Sequence, residues 1–200
     1  MYNGPNIGIY AKANDDFIFL PHGFAEAKSK KLSEYLQTDV IVTSVANTSL
    51  IGILTVINNH GILLPNTASE DELTMLKKKT DLNVEILDVK HNALGNMMSV
   101  NDTGGIVSPS LPKEALNRIS DVLDIELIQK KIAGFHQVGA VMATSPTGGI
   151  VHPETDDEDV KIIKNILGVN VEPATINGGL PFLSSGILAN SKSMVVGSLT

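Results

Sequence analysis

Five histidines and one run of acidic residues are the groups in this 200-residue chain that could support acid–base or metal chemistry. No histidine has a second histidine or a carboxylate at a spacing that places both on one predictable face, as a metal site requires. The run 156–159 could hold a cation, but it lacks the glycine of a calcium loop and opens a predicted helix, where the helix dipole favours acidic residues. We therefore expect no metal site. The histidines are His22, His60, His91, His136 and His152.

The lack of cysteine and of known catalytic motifs excludes further kinds of reaction. The chain has no cysteine, which excludes a disulfide, a Cys-ligated metal cluster and a cysteine nucleophile. The motifs G-x-S-x-G, H-E-x-x-H, Walker A and G-x-G-x-x-G are also missing. His152, directly before Pro153, is interpreted as a residue at a strand end rather than as a base. The residues alone therefore indicate neither an enzyme nor a cofactor.

The composition describes a folded, acidic protein. Hydrophobic residues make up 42% of the chain and charged residues 18%, which is enough apolar material for a sizeable core. The net charge of -7 disfavours binding by phosphate neutralisation and suits a partner with a basic surface. The first residues do not read as a signal peptide, and apolar stretches such as 50–57 are too short to span a bilayer. We expect a cytoplasmic monomer.

A repeat of 44 residues organises the chain and must position any functional group. Prolines end four short apolar runs at intervals of 44, and the next step falls on Gly197 after a similar run. The polar turn before each run repeats at the same interval. The prolines are Pro21, Pro65, Pro109 and Pro153, and the turn positions are Asn14, Asn58, Asp102, Pro146 and Asn190.

Each repeat predicts the same ββαβ unit. An apolar strand follows a glycine, a hairpin turn leads to a second strand that ends at the proline, and a helix with early acids and late lysines leads to a third strand. The predicted first strands are 8–11, 52–55, 95–98 and 139–142, and the third strands are 40–45, 84–89, 127–132 and 171–176. The units span about 5–48, 49–92, 93–136 and 137–180, and residues 181–200 carry only the hairpin of a fifth.

Four and a half such units must share a core, because none can bury a sheet face alone. A closed ring with pseudo-fivefold symmetry is favoured over an open solenoid, because closure removes exposed sheet edges and neither terminal unit has a polar cap. The sequence therefore predicts a single α/β domain over residues 1–200. The Asn, Asp and Gly turns could form a ring of ligands, but they are also the usual residues of tight hairpins, which is the interpretation we favour.

Several segments resemble translation initiation factor 6 of archaea and eukaryotes, with the archaeal form more similar in length. The segments run in register along essentially the whole chain. They are Pro5–Asp15, Leu50–Gly52 with Gly61–Pro65, Ala93–Asn96 with Val100–Asp102 and Ile106–Pro109, Val151–Pro153, and Ile187–Lys192 with Val196–Thr200.

The resemblance implies a fold and a function. The family has the pentein fold, a five-bladed α/β propeller. Its members bind the large ribosomal subunit at the face that meets the small subunit, and so keep the subunits apart; in eukaryotes they also act in large-subunit maturation. The implied partners are a ribosomal protein of the uL14 family and, nearby, the sarcin–ricin loop of the large rRNA. No DNA, membrane or cofactor is implied.

The resemblance also implies a ribosome-binding surface at one end of the ring. Asn96, after Gly95, matches the family's Ala-Leu-Gly-Asn segment at the ribosome-facing surface. The equivalent positions Gly8, Gly52 and Ile53 and the segment ends Asn47, Asn177 and Gly178 are expected at the same end. Glycine and asparagine at such junctions also suit tight connections with positive φ, which is the structural alternative.

Two other functions remain open on the sequence. Pentein enzymes that modify guanidino groups use an essential cysteine, which this chain lacks, and a scaffold protein with an unrelated ligand is the third possibility. Family members also have a further strand before Asn3 and a last helix after the Gly-Ser-x-Thr segment. We therefore expect a frayed fifth unit, and pairing of residues near Tyr2 with the fifth hairpin would contradict that expectation.

Overall fold

A computed structural model describes residues 4–200, which form an α/β structure of five small sheets. Pairing near Tyr2 lies outside the described residues. In each of the first four sheets the first strand is antiparallel to the second, and the second is parallel to the third. A parallel pair needs a long crossover, and a helix supplies it in every unit. The predicted ββαβ order is confirmed.

The strands have the following bounds. Sheet 1 contains β1 (Lys12–Ala13), β2 (Phe17–Pro21) and β3 (Asp39–Thr43), and sheet 2 contains β4 (Val56–Ile57), β5 (Gly61–Pro65) and β6 (Asn83–Leu87). Sheet 3 contains β7 (Met98–Val100), β8 (Gly104–Val107) and β9 (Glu126–Gln129). Sheet 4 contains β10 (Met142–Ser145), β11 (Gly148–Val151) and β12 (Val171–Pro173), and sheet 5 is the hairpin of β13 (Ile187–Ala189) and β14 (Met194–Val196).

The helices fall into two groups. The crossover helices are α2 (Glu26–Leu36), α4 (Glu70–Lys79), α6 (Lys113–Leu123) and α7 (Asp157–Leu167). The one-turn helices α1 (Ile7–Tyr10), α3 (Ile51–Leu54) and α5 (Leu94–Met97), with a 3₁₀ turn at Leu183–Gly186, precede the first strands. Acidic residues open α4 and α7, as predicted. In residues 4–200 no helix is long and apolar enough to cross a membrane.

Each crossover helix packs between two sheets. Helix α4 lies between sheets 1 and 2, α6 between sheets 2 and 3, and α7 between sheets 3 and 4. Helix α2 shares a cluster with sheet 1 and with Leu188 and Val195 of sheet 5. Between sheets 4 and 5 the described residues place no helix, and Ile150 and Met194 line an open groove there. The counterparts of Ile150 in the earlier sheets, Phe19, Leu63 and Ile106, are buried by the following helix.

The first strands begin later in the structure than the sequence predicts. The segments after Gly8, Gly52 and Gly95 begin as one turn of helix and become strands only three to four residues later. Residues 138–140 form a turn before β10. Helical turns occur here because neighbouring turns stack closely at glycine, where a Cβ atom would overlap the adjacent backbone.

Two of the second strands end earlier than the prolines predict. Strands β8 and β11 end two residues before Pro109 and Pro153. The intervening residues, Ser108 and His152, begin a turn, because the side chain of each accepts the backbone N–H two residues later, at 3.1 Å in both cases. His152 is nevertheless a strand-end residue, as interpreted.

The turn positions also shift, and the hydrogen bonds identify the equivalents. Asn58 Oδ1 accepts the backbone N–H groups two and three residues on, and Asn101 Oδ1 does the same, so Asn101 rather than Asp102 is its counterpart. In unit four Ser145, not Pro146, occupies this place and accepts the N–H of Thr147. The side chains therefore act as turn residues, as favoured from the sequence.

Candidate functional site

The glycines of the one-turn helices allow neighbouring units to approach at one end of the sheets. A Cβ atom on Gly52 would lie closer than 3.0 Å to the carbonyl oxygens of Gly8 and Ala11, and one on Gly95 would meet Gly52 in the same way. Gly8 itself abuts the carbonyls of Ser184 and Ile187. Helix α1 therefore contacts both α3 and the 3₁₀ turn, and α3 contacts α5.

Gly8, Gly52 and Gly95 are buried, so their role is to position the residues beside them. None of the three has positive φ, so the interpretation of these glycines as left-handed connections is wrong. Glycine is required there because any side chain would overlap a backbone carbonyl of the next unit.

Ile53 and Asn96 follow these glycines and are half-buried on the same stacked turns. The backbone carbonyl of Asn96 accepts the Gly139 N–H at 3.0 Å, which fixes the residue against the next unit. Within residues 4–200 the Asn96 carboxamide makes no hydrogen bond of its own. A fixed backbone with an unengaged carboxamide presents two N–H donors and a carbonyl acceptor to a partner at low entropic cost.

Asn47 and Gly178 lie in tight turns that join third strands to the stacked turns. Ala46 and Asn47 have φ of 53° and 56°, and the bridge between Val45 and Thr48 closes the turn. Positive φ at both central residues is the type I′ arrangement, which asparagine tolerates. Asn47 is exposed, and the turn interpretation is confirmed for it.

The turn at Asn177 and Gly178 is built in a similar way but differs at its first residue. Asn177 has φ of 46° and Gly178 has φ of 77°, and Gly178 is exposed. Asn177 is buried, and its Nδ2 donates to Asn6 Oδ1 at 3.1 Å while its Oδ1 accepts from Thr200 Oγ1 at 3.1 Å. Asn177 therefore joins both ends of the described chain instead of facing solvent.

Glu72 supports the Asn47 turn and was not identified as a site residue from the sequence. Its carboxylate accepts Ser44 Oγ at 2.7 Å, the Ala46 N–H at 2.9 Å and the Asn47 N–H at 3.1 Å. It also accepts the Ser69 N–H at 2.9 Å in a capping box at the start of α4. The signal that could have found it is the spacing Ser-x-x-Glu before an apolar helix.

The pKa of Glu72 reflects two opposed causes. Burial raises the pKa of this carboxyl, but the hydrogen bonds from Ser69, Ser44 and the turn N–H groups together outweigh burial, so the pKa lies below its ordinary value of 4.5. The ionised form is therefore the one that holds the turn.

Apolar side chains that the sequence did not single out border this end. Leu50 and Phe182 each precede one of the stacked turns and are 36% and 46% exposed. Phe182 packs edge-on against Phe135 with ring centroids 6.1 Å apart, and Phe135 packs on His152 at 5.1 Å. We name the surface formed by Asn47, Leu50, Ile53, Asn96, Gly178 and Phe182 the stacked-turn surface.

The stacked-turn surface offers amide and apolar contacts and no reacting group. Among the described residues no cluster of three or more His, Asp or Glu side chains could hold a metal ion. The arrangement is therefore suited to binding a macromolecular surface.

Comparisons with known proteins give consistent results over the full chain. A sequence model described as the eIF-6 family matches residues 1–200. The chain is 60% identical over 200 residues to translation initiation factor 6 of Cenarchaeum symbiosum (strain A), covering 100% of this chain and 90% of that protein. It is 54% identical, with the same coverage, to translation initiation factor 6 of Nitrosopumilus maritimus (strain SCM1). Against that of Staphylothermus marinus it is 36% identical over 203 residues, covering 100% of this chain and 89% of that protein.

Proposed function

The chain belongs to the eIF-6 family of translation initiation factors, and from that premise we propose that it binds the large ribosomal subunit and blocks association with the small subunit. The mechanism is steric: a protein seated on the intersubunit face occupies space that the small subunit needs. No bond is made or broken, so a rigid binding surface is the only requirement.

The observation that carries the proposal is the stacked-turn surface. Its residues lie at one end of the sheets; buried glycines fix the backbone beside Ile53 and Asn96, and the Glu72 carboxylate holds the turn at Asn47. Rigid backbone reduces the entropy lost on binding, and a mix of apolar and amide contacts is typical of protein interfaces. Asn96, Ile53, Asn47 and Gly178 supply direct contacts, and Gly8, Gly52, Gly95 and Asn177 hold them in place.

The net charge of -7 supports a basic ribosomal protein as the main partner. An acidic protein is attracted to a basic protein surface and repelled by phosphates, so contacts with rRNA are secondary. We propose a protein of the uL14 family as that partner, with the sarcin–ricin loop adjacent. A cysteine-dependent pentein enzyme is disfavoured because the chain has no cysteine.

We further infer that the five sheets are the blades of one propeller that closes into a ring, and therefore one domain. Three contacts between the fifth unit and the first support closure. Asn190 Nδ2 donates to the Asn14 carbonyl at 3.2 Å, Ser191 N–H donates to Asp15 Oδ1 at 2.8 Å, and α2 packs against both sheets. The same pattern of bonds joins units one, two and three, as closure by equivalent contacts requires.

Co-sedimentation in sucrose gradients with isolated archaeal ribosomal subunits tests the proposal. We expect the protein to travel with the large subunit and to remain at the top of the gradient with the small subunit alone. Migration with neither subunit, or with the small subunit only, would overturn the proposal.

A further inference from the structure

A cavity lies where the innermost strands of all five sheets meet. Its volume is about 70 Å³, and its wall includes β1, β4, β7, β10 and β13. Each of these strands is at the edge of its sheet, so one side of its backbone carries N–H and C=O groups that the sheet does not pair. The cavity is distinct from the stacked-turn surface, none of whose residues lines it.

Lys12 is the one charged residue that lines this cavity in the described part of the chain. Nothing among residues 4–200 forms an ion pair or hydrogen bond with its ammonium group. Burial lowers the pKa of Lys12 to about 8, so the group is still mostly protonated at neutral pH. Lys12 as a whole is half-buried, so its charge is only partly removed from water, and an anion in the cavity would offset the remaining cost.

Two carboxylates in the neighbouring hairpin turns, Asp15 and Asp102, form no ion pair with Lys12 among the described residues. Asp15 and Asp102 line a smaller neighbouring cavity at the hairpin end, not the one that holds Lys12. Asn59 Nδ2 donates to one oxygen of each, at 2.9 Å and 2.7 Å. The second oxygen of Asp15 accepts the Ser191 N–H, and that of Asp102 accepts the Asn59 N–H. All four oxygens are therefore engaged in joining neighbouring units.

Three residues with hydroxyl groups line the cavity together with Lys12, namely Ser99, Thr144 and Ser184, and Ser184 Oγ donates to the Ala140 carbonyl at 3.5 Å. Ser99 Oγ and Thr144 Oγ1 are 3.2 Å apart, and Thr144 Oγ1 donates to the Val100 carbonyl at 2.8 Å. Because Thr144 and Ser184 both donate to backbone carbonyls, the Ser99 hydroxyl is the one of the three that can turn toward a ligand. The cavity thus combines one cation, one adjustable hydroxyl donor and unpaired backbone groups, and most of its other side chains are aliphatic.

We infer that the central cavity is a binding site for a small oxyanion, which pairs with the Lys12 ammonium group and accepts from Ser99 and from unpaired backbone N–H groups. The volume corresponds to roughly five water positions, which admits inorganic phosphate or a short carboxylate and excludes a nucleotide. The site does not depend on the proposed ribosome binding.

Titration of the protein with inorganic phosphate, followed by NMR of lysine 15Nζ and 13Cε nuclei, tests this inference. Sodium chloride keeps the ionic strength constant, and acetate in a parallel titration tests a carboxylate. We expect a saturable shift at Lys12 and a rise in its pKa of about one unit or more, because a bound anion stabilises the protonated form. A phosphate-dependent rise in Tm should appear in the wild type and in the exposed-residue control Lys78→Met, and be lost in Lys12→Met.

A response to acetate alone would identify the ligand as a carboxylate and support the site. The site is refuted if neither anion shifts the Lys12 signals, or if Lys12→Met keeps the full rise in Tm. The NMR measurement on the wild type stands even if the Lys12→Met variant folds poorly.

Discussion

The residues at the stacked-turn surface have one of two roles: some are buried and fix the backbone, and others face solvent. Gly52 and Asn177 are buried and shape it, whereas Asn47 and Asn96 expose an amide on a backbone held by hydrogen bonds. The sequence could indicate Asn96 through family resemblance. It could not show that Asn177 is buried, because the bonds from Asn177 to Asn6 and Thr200 join residues 171 and 23 positions apart.

Replacing Asn96 tests the direct-contact role at the residue scale. We expect Asn96→Arg to weaken large-subunit binding at least about tenfold, because a bulky cation would face a basic partner and the amide contacts would be lost. The matched control, Asn165→Arg on the exposed side of α7, should bind as the wild type does. Titration of labelled large subunits measures the affinity, and equal affinities of the two variants would remove Asn96 from the interface.

Glu72 gives a prediction about pH. Its pKa is lowered on folding, so it contributes stability above pH 4.5 that is lost as the pH falls through the folded-state pKa. Glu72→Gln places an NH₂ group against backbone N–H donors and should cost about 2 kcal/mol at pH 7. Urea unfolding at several pH values measures this. Glu70→Gln, in the same helical turn but exposed, is the control and should keep the wild-type acid dependence; the same dependence in Glu72→Gln would contradict the assignment.

At the scale of elements, local sequence patterns located the crossover helices and second strands well and the stacked turns poorly. The capping residues and charge order of α4 and α7 are local signals, and the helices begin where these signals predict. The one-turn helices are set by backbone contact between units 44 residues apart, so the apolar residues after each glycine gave a strand prediction instead. The one-residue shifts at Asn101 and Ser145 are revealed by hydrogen bonds, both within each turn and between neighbouring units.

Because the one-turn helices stack so closely, adding one methyl group at a stacked glycine should strongly destabilise the fold. Gly52→Ala places a Cβ against the carbonyls of Gly8 and Ala11, which cannot move without shifting two helical turns. We expect a loss of about 3 kcal/mol or more in the free energy of unfolding. Gly4→Ala is the control, because nothing lies within 4 Å of its Cβ position. Equal urea midpoints for the two variants would show that the turns are not tightly stacked.

At the scale of the whole molecule, the interval of 44 predicted the repeated ββαβ units and the hairpin at residues 187–196. It could not predict that Asn101 and Ser145 hold the turn positions of units three and four, or that no described helix covers the groove between sheets 4 and 5. These features depend on which side chains meet across units. The absence of cysteine argued against a cysteine-dependent enzyme, and the negative charge argued for a basic partner. Membership of the eIF-6 family is the basis for proposing ribosome binding.

The most direct test of the account is subunit association measured in the presence of the protein. Large subunits are incubated with excess protein, small subunits are then added, and the fraction of joined ribosomes is followed by light scattering and by gradient profiles. We predict that association falls in proportion to the occupancy of the large subunit and that preincubating the small subunit instead gives no additional effect. Full association of large subunits already saturated with the protein would contradict the account.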